Sequence, residues 1–123
     1  MFIYANPNPR KNYTGDCVVR ALSIALDKPW DDIFLDLMKE AFIMKDMPSS
    51  NVVWGYYLHK NGFRRYNIPD ICPGCITIRD ITENLNKGVY ILGTGTHVVA
   101  VIDGNYYDTG DSGNEIPIYY WKR

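Results

Sequence analysis

From Asp16 to Leu26 the chain reads Asp-Cys-Val-Val-Arg-Ala-Leu-Ser-Ile-Ala-Leu, and only Arg20 and Ser23 interrupt the apolar character that follows the aspartate. A helix this apolar all round is expected to be buried nearly all round, which makes it the centre of whatever fold the chain adopts. Gly15 and Asp16 supply its start, with Asp16 as the expected N-cap. Cys17 therefore stands at the head of a buried helix.

The remaining pattern says what packs around it. Pro29 breaks the chain, and a helix resumes from Trp30 to about Lys45. Its apolar positions Ile33, Leu37, Met38, Ala41 and Phe42 fall on one helical face, and Asp31 and Asp32 occupy the first turn, where the helix dipole favours them. A third helix is expected from about Ser50 to Asn61, capped by Ser49 or Ser50 and stopped by Gly62. After the loop from Ile68 to Ile76, a short helix follows Thr77. Strands are expected at Val89–Leu92, Thr96–Ile102, Asn105–Thr109 and Ile116–Trp121, and the first fifteen residues read as an irregular lead-in. Helices first and antiparallel strands afterwards is an α+β pattern, and 123 residues make one domain.

Composition narrows the partners. Thirteen basic and fourteen acidic residues leave a net charge of −1, so no global pull towards nucleic acid or an anionic membrane is indicated. Arg64 and Arg65 are the only adjacent arginines and do not make a patch. No run of about 18 apolar residues could span a bilayer, and the opening MFIYANPNPRKNYTG lacks the order of a signal peptide. Three cysteines is an odd count for a disulfide framework. A reducing, cytoplasmic setting with free thiols is the expectation.

Chemistry gathers around Cys17. A thiol is nucleophilic as thiolate, and a helix N-terminus lowers its pKa through unpaired N–H groups and the helix dipole. His97 precedes the apolar strand Val98–Ile102, and a histidine at a strand mouth can serve as general base for a thiol the fold brings near. Asp103-Gly104 is a preferred pair for a two-residue type I′ turn. With that turn Ile102 pairs with Asn105 and Val99 with Asp108, so His97, Val99 and Asp108 share a face. Asp108 then lies diagonal to His97, about 7–8 Å away between backbones. A three-residue loop would instead set Asp111 opposite His97, which makes Asp111 the alternative third member. A carboxylate at this position holds the imidazole tautomer and stabilises the imidazolium. An oxyanion formed in acyl transfer also needs donors. The Cys17 N–H is one, and the Asn12 side chain, five residues upstream, is the expected second.

Cysteine at a helix start, histidine at a strand start and aspartate on the following strand is also the chain order of papain-like cysteine peptidases. The segments Asn12-Tyr13-Thr14-Gly15-Asp16-Cys17 and Thr96-His97-Val98-Val99-Ala100-Val101-Ile102-Asp103-Gly104 resemble most closely the C39-type, bacteriocin-processing members, and small uncharacterised papain-like proteins of phages and bacteria. The resemblance follows most of the chain in order. It differs in carrying Asn12 where that family usually has Gln, Val18 where C39 peptidases usually have Gly, and a shorter His-to-Asp interval. It implies a papain-like α+β fold with the nucleophile helix packed on a C-terminal antiparallel sheet. It also implies a cysteine peptidase, a thiol hydrolase working through an acyl-enzyme on a peptide or other acyl substrate, with no cofactor and no metal. Two alternatives stand beside it: a catalytically inactive papain-like module that binds or inhibits a partner, phage-derived in one version, and an acyltransferase using the same triad.

Other motifs fit plainer roles. Cys72-Pro73-Gly74-Cys75 reads as a pair of loop cysteines in a turn, with a redox or zinc role as the alternative. His59 near a helix C-terminus is favoured by the dipole. Trp30, Trp54 and Trp121 are expected in the core or along a cleft wall. Gly93-Thr94-Gly95 lacks the lysine and following helix of a phosphate-binding loop.

Overall fold

The apolar run becomes helix α1 (Cys17–Leu26), and all but two of its residues are buried. The computed structural model describes residues 1–123, and its architecture is α+β: four helices and a six-stranded mixed sheet. The elements run β1 (Phe2–Tyr4), α1, α2 (Trp30–Met44), α3 (Asn51–Lys60), β2 (Arg64–Asn67) and α4 (Ile78–Thr82). The strands β3 (Val89–Gly93), β4 (Val98–Ile102), β5 (Asn105–Asp108) and β6 (Tyr119–Lys122) complete the chain. Across the sheet the order is β1-β5-β4-β3-β6-β2.

Both faces of the sheet are covered, which explains why β4 is apolar at every position. On one face Val98 and Ala100 of β4 and Ile91 of β3 join Leu22, Ile33, Leu37, Trp54 and Leu58 from the three long helices. On the other face Val99, Val101, Tyr90 and Leu92 pack with Tyr106 and with Ile78 of α4. Residues next to each other along β3 and β4 thus serve different clusters, as the two-residue period of a strand requires. Thr77 begins α4 with a reciprocal capping box, accepting from the Asp80 N–H while the Asp80 carboxylate accepts from its own N–H.

The Asp103-Gly104 turn forms as expected. Ile102 faces Asn105 and Ala100 faces Tyr107, with φ of 49° at Asp103 and 83° at Gly104. Two positive φ values in succession are what a type I′ turn demands. The Asp103 carboxylate holds the turn further by accepting from the Gly88 N–H at 2.9 Å.

Several expectations are corrected. Phe2–Tyr4 is a strand pairing parallel with β5, so the lead-in is irregular only after it and the sheet is mixed. Arg64–Asn67 is an edge strand antiparallel to β6; its residues are exposed throughout, so it carries no apolar signature. The last strand starts at Tyr119, not Ile116, because Pro117 has no N–H for a ladder. On α2 the buried stripe is Ile33, Leu37, Glu40 and Ala41, while Met38 and Phe42 face outward. Glu40 replaces them at the core edge because Lys60 of α3 pairs with its carboxylate. Cys72 and Cys75 are joined in a disulfide, not held as free thiols; the Pro73-Gly74 turn brings their α-carbons to 4.3 Å. No helix is long and apolar enough to cross a membrane.

Candidate active site

Cys17 is the first residue of α1, and the N–H groups of Cys17, Val18 and Val19 have no acceptor in the protein. Asp16 holds the N-cap position without capping: its side chain bonds none of these N–H groups. The carboxylate is drawn away by Arg20, one turn along, by the Trp30 Nε1–H at 2.9 Å and by the Asn8 Nδ2–H at 3.4 Å. The expectation of an aspartate N-cap fails for that reason. An unfilled helix start is left directly at the cysteine, with no acidic side chain in the first turn to oppose a negative charge there.

His97 lies in the four-residue connection between β3 and β4. Thr94 fixes it: the Thr94 N–H donates to the His97 carbonyl at 2.9 Å, and the His97 N–H donates to Thr94 Oγ1 at 3.1 Å. Gly95 supplies the positive φ of 99° that closes this loop. On one side the imidazole faces the Cys17 thiol across the same cleft, near enough for each to shift the ionisation of the other. On the other, Nε2 is 2.5 Å from Asp108 Oδ2, so Nδ1 is the ring nitrogen left for the sulfur.

Asp108 ends β5 and is 5% exposed. Besides His97 it accepts from Ser112 Oγ–H at 2.9 Å, from the Thr109 N–H at 2.7 Å, and from Arg20 Nη2–H at 3.4 Å. Asp111, the alternative third member, turns elsewhere. It accepts from the Tyr106 hydroxyl at 2.6 Å and from the Gly113 N–H at 2.9 Å, and makes no bond to His97. The hairpin register decides between the two aspartates.

These contacts set the charges. Burial pushes the Cys17 thiol up, but the His97 hydrogen bond, the Val98 N–H and the positive charges of His97 and Arg20 outweigh it, and the net shift is downward. The Asp108 hydrogen bond, followed by that of Cys17, raises His97 to about 10. Burial also opposes ionisation of Asp108, yet the His97 and Ser112 hydrogen bonds hold its carboxyl below the ordinary value. The shifts of Cys17 and His97 favour the same charged pair, a thiolate beside an imidazolium.

Cys17 and His97 share a cleft of about 170 Å³ with Gly15, Ser49, Asn51 and Tyr119 along its walls. Asn12 is not brought to it. The chain turns back at Asn8–Lys11, with the Lys11 N–H donating to the Asn8 carbonyl at 2.9 Å and φ of 57° at Lys11. Asn12 is left exposed beyond that turn, its carbonyl accepting from Asn6 Nδ2 at 3.4 Å. A carboxamide does border the cleft, that of Asn51, whose Oδ1 accepts from the Trp54 Nε1–H at 3.1 Å and whose Nδ2 donates to no protein group. Sequence reasoning missed Asn51, Ser112 and Arg20. Only Arg20 gave a signal, as a charge inside an apolar run.

Three comparisons with known proteins add nothing to this geometry: no protein-family model, no curated protein and no solved structure matches the chain.

Proposed function

We propose that the protein is a thiol hydrolase of papain-like layout, with Cys17 as nucleophile, His97 as acid and base, and Asp108 as the group that orients His97. The carrying observation is that one imidazole shares a cleft with a helix-terminal thiol and is bonded through Nε2 to a buried carboxylate. In this reading the Cys17 thiolate attacks the carbonyl carbon of an acyl donor, and the oxyanion that develops takes the free Cys17 N–H. The Asn51 Nδ2–H is the second donor, in place of Asn12. The His97 imidazolium gives its proton to the departing amine or alkoxide, which leaves a thioester on Cys17. A water then attacks the thioester while His97 takes its proton, releasing the carboxylic acid and restoring the thiolate beside the imidazolium.

Passage of the same thioester to an amine would make the protein an acyltransferase; only the acceptor differs. The polar opening of about 320 Å³ beside His97, bordered by Asp108, Asp111 and Glu115, supports access for either acceptor.

The test is trapping. Mixed with p-nitrophenyl acetate, the protein is expected to release a burst of p-nitrophenol and to carry an acetyl group on Cys17 by mass spectrometry. Cys17→Ala is expected to carry none, and His97→Ala to acylate at least about a hundredfold more slowly. Absence of an adduct, together with alkylation of Cys17 by iodoacetamide no faster than free cysteine at neutral pH, overturns the reading. Partition of the adduct between water and added glycinamide separates hydrolysis from transfer.

A further inference from the structure

Helix α2 turns a second apolar face away from the molecule. Its inward stripe holds Ile33, Leu37 and Ala41, yet Leu35 and Phe42 are 63% and 73% exposed, and Met38 and Phe34 are 46% and 36% exposed. Single exposed apolar residues are ordinary on a protein surface. These four are not single: at 3.6 residues per turn they fall within about 100° of the helix circumference. A charge closes the stripe at each end. Asp31, in the first turn, lies one turn before Leu35, and the Lys45 ammonium, at the C-cap, stands 3.9 Å from the centre of the Phe42 ring. Neither charge forms an ion pair within the chain. The stripe is also symmetric about Met38. Asp31 comes seven residues before Met38 and Lys45 seven after it, while Phe34 comes four before and Phe42 four after.

We propose that this face pairs with the same face of a second copy of the chain, the two α2 helices lying antiparallel about a two-fold axis at Met38. A two-fold interface must be self-complementary: whatever residue i meets on the second copy must meet residue i there in turn. Antiparallel pairing at Met38 satisfies that condition at every step of the stripe. Asp31 faces Lys45 of the second copy and Lys45 faces its Asp31, Phe34 and Phe42 meet twice in the same way, and Met38 meets Met38. A parallel pairing would set Asp31 on Asp31 and Lys45 on Lys45, and like charges oppose it. The helix dipoles also favour the antiparallel arrangement. An unrelated partner would not require opposite charges and matching rings at equal distances from one residue, whereas a second copy does. Burial of the apolar stripe supplies the attraction, and the two ion pairs set direction and register, since exposed pairs add little affinity. One helix pair covers less than the roughly 800 Å² per partner of a standard interface, so the dimer is a reversible one. None of these residues lines the cleft of Cys17 and His97. Pairing therefore leaves that cleft open and does not depend on the hydrolase reading.

Sedimentation velocity of the full chain, from about 1 μM to 1 mM, is expected to show a monomer passing reversibly into a dimer. Phe42→Glu, a change at an exposed position, is expected to weaken the dimer at least about tenfold. Asp31→Lys and Lys45→Asp each oppose like charges and are each expected to weaken it at least about threefold. The double swap Asp31→Lys/Lys45→Asp is expected to restore the parental affinity, which a merely sticky surface would not do. In a Cys17→Ser background, Met38→Cys is expected to be oxidised by copper phenanthroline to a covalent dimer. Lys39→Cys, exposed on the next position round the helix, is expected to stay monomeric. A dimer indifferent to Phe42→Glu, a double swap no tighter than the single variants, or cross-linking equal at both positions overturns the pairing. A monomer at every concentration overturns it too. In that case, co-sedimentation with phosphatidylcholine vesicles that is lost in Phe42→Glu assigns the stripe to a lipid surface instead.

Discussion

Arg20 is 8% exposed in the middle of α1, with one guanidinium arm on Asp16 and the other on Asp108. It ties the residue before the candidate nucleophile to the carboxylate behind the candidate base. A buried charge is tolerated only with partners, and removing one member leaves the others uncompensated. Arg20→Met is therefore expected to cost about 3 kcal/mol in urea unfolding, and Arg20→Lys to recover only part, because an ammonium cannot reach two carboxylates as a planar fork does. The same charge helps lower the Cys17 thiol, so a Cys17 alkylation profile against pH should move its rise to higher pH in the Lys variant as its charge shifts away. His97→Ala, which removes the largest group opposing burial at Cys17, should move it further, towards or above the ordinary thiol value of 9.0; an unmoved profile in both variants would sink the electrostatic account. His97 and Asp108 were legible in the sequence because a two-residue turn counts the register for any pair that follows it. Arg20 was visible only as an anomaly, since a charge in an apolar run announces a buried partner without naming it. Asn12 was misread because a side chain on an irregular loop has no period from which its direction follows.

At the scale of elements, the sheet places the site by close fits as well as by register. Gly93 ends β3 opposite Tyr119 of β6, and a Cβ on Gly93 would run into the Tyr119 ring. That ring is 4% exposed, lies against Trp54 at 6.2 Å between centroids and borders the Cys17 cleft. Gly93→Ala is thus expected to destabilise the protein by about 2 kcal/mol, the cost of overpacking, and to tilt Tyr119 into the cleft, slowing Cys17 acylation by p-nitrophenyl acetate. A melting temperature equal to that of the parent would show that the ring moves without cost. Strands β3, β4 and β5 could be read from the continuous apolar runs of the first two and the turn between the last two. β1 and β2 could not, because three residues in one and exposure along the whole of the other leave no pattern to detect. The inward face of α2 was misplaced by one position in the helical wheel, since Phe34, Met38 and Phe42 are as apolar as the residues that are buried. Periodicity finds an apolar face but does not say which of two adjacent apolar faces meets the core.

In the whole molecule, the candidate site lies where two layers meet: α1 contributes its N-terminus from the helical layer, and β4 and β5 contribute their adjoining ends from the sheet. A charged group at such a seam links folding to pH. His97 is raised to about 10 in the folded protein against an ordinary 6.5. A histidine that binds its proton more tightly when folded adds stability that is fully present below pH 6.5 and is lost as pH rises towards 10. Cys17 is shifted the opposite way and is coupled to His97, so the histidine is best isolated in Cys17→Ser, where the Asp108 hydrogen bond, the largest cause of the rise, remains. Compared with Cys17→Ser/His97→Gln, the single variant is expected to be more stable by on the order of 2 kcal/mol at pH 6. The difference should shrink steadily as pH rises through the window above 6.5. Urea unfolding of both variants from pH 6 to 10 checks it. A difference that stays constant across that range would mean that His97 contributes packing alone, and one that grows with pH would mean that the imidazole is held neutral. Either result would remove the charged bridge between helix and sheet on which the catalytic reading depends.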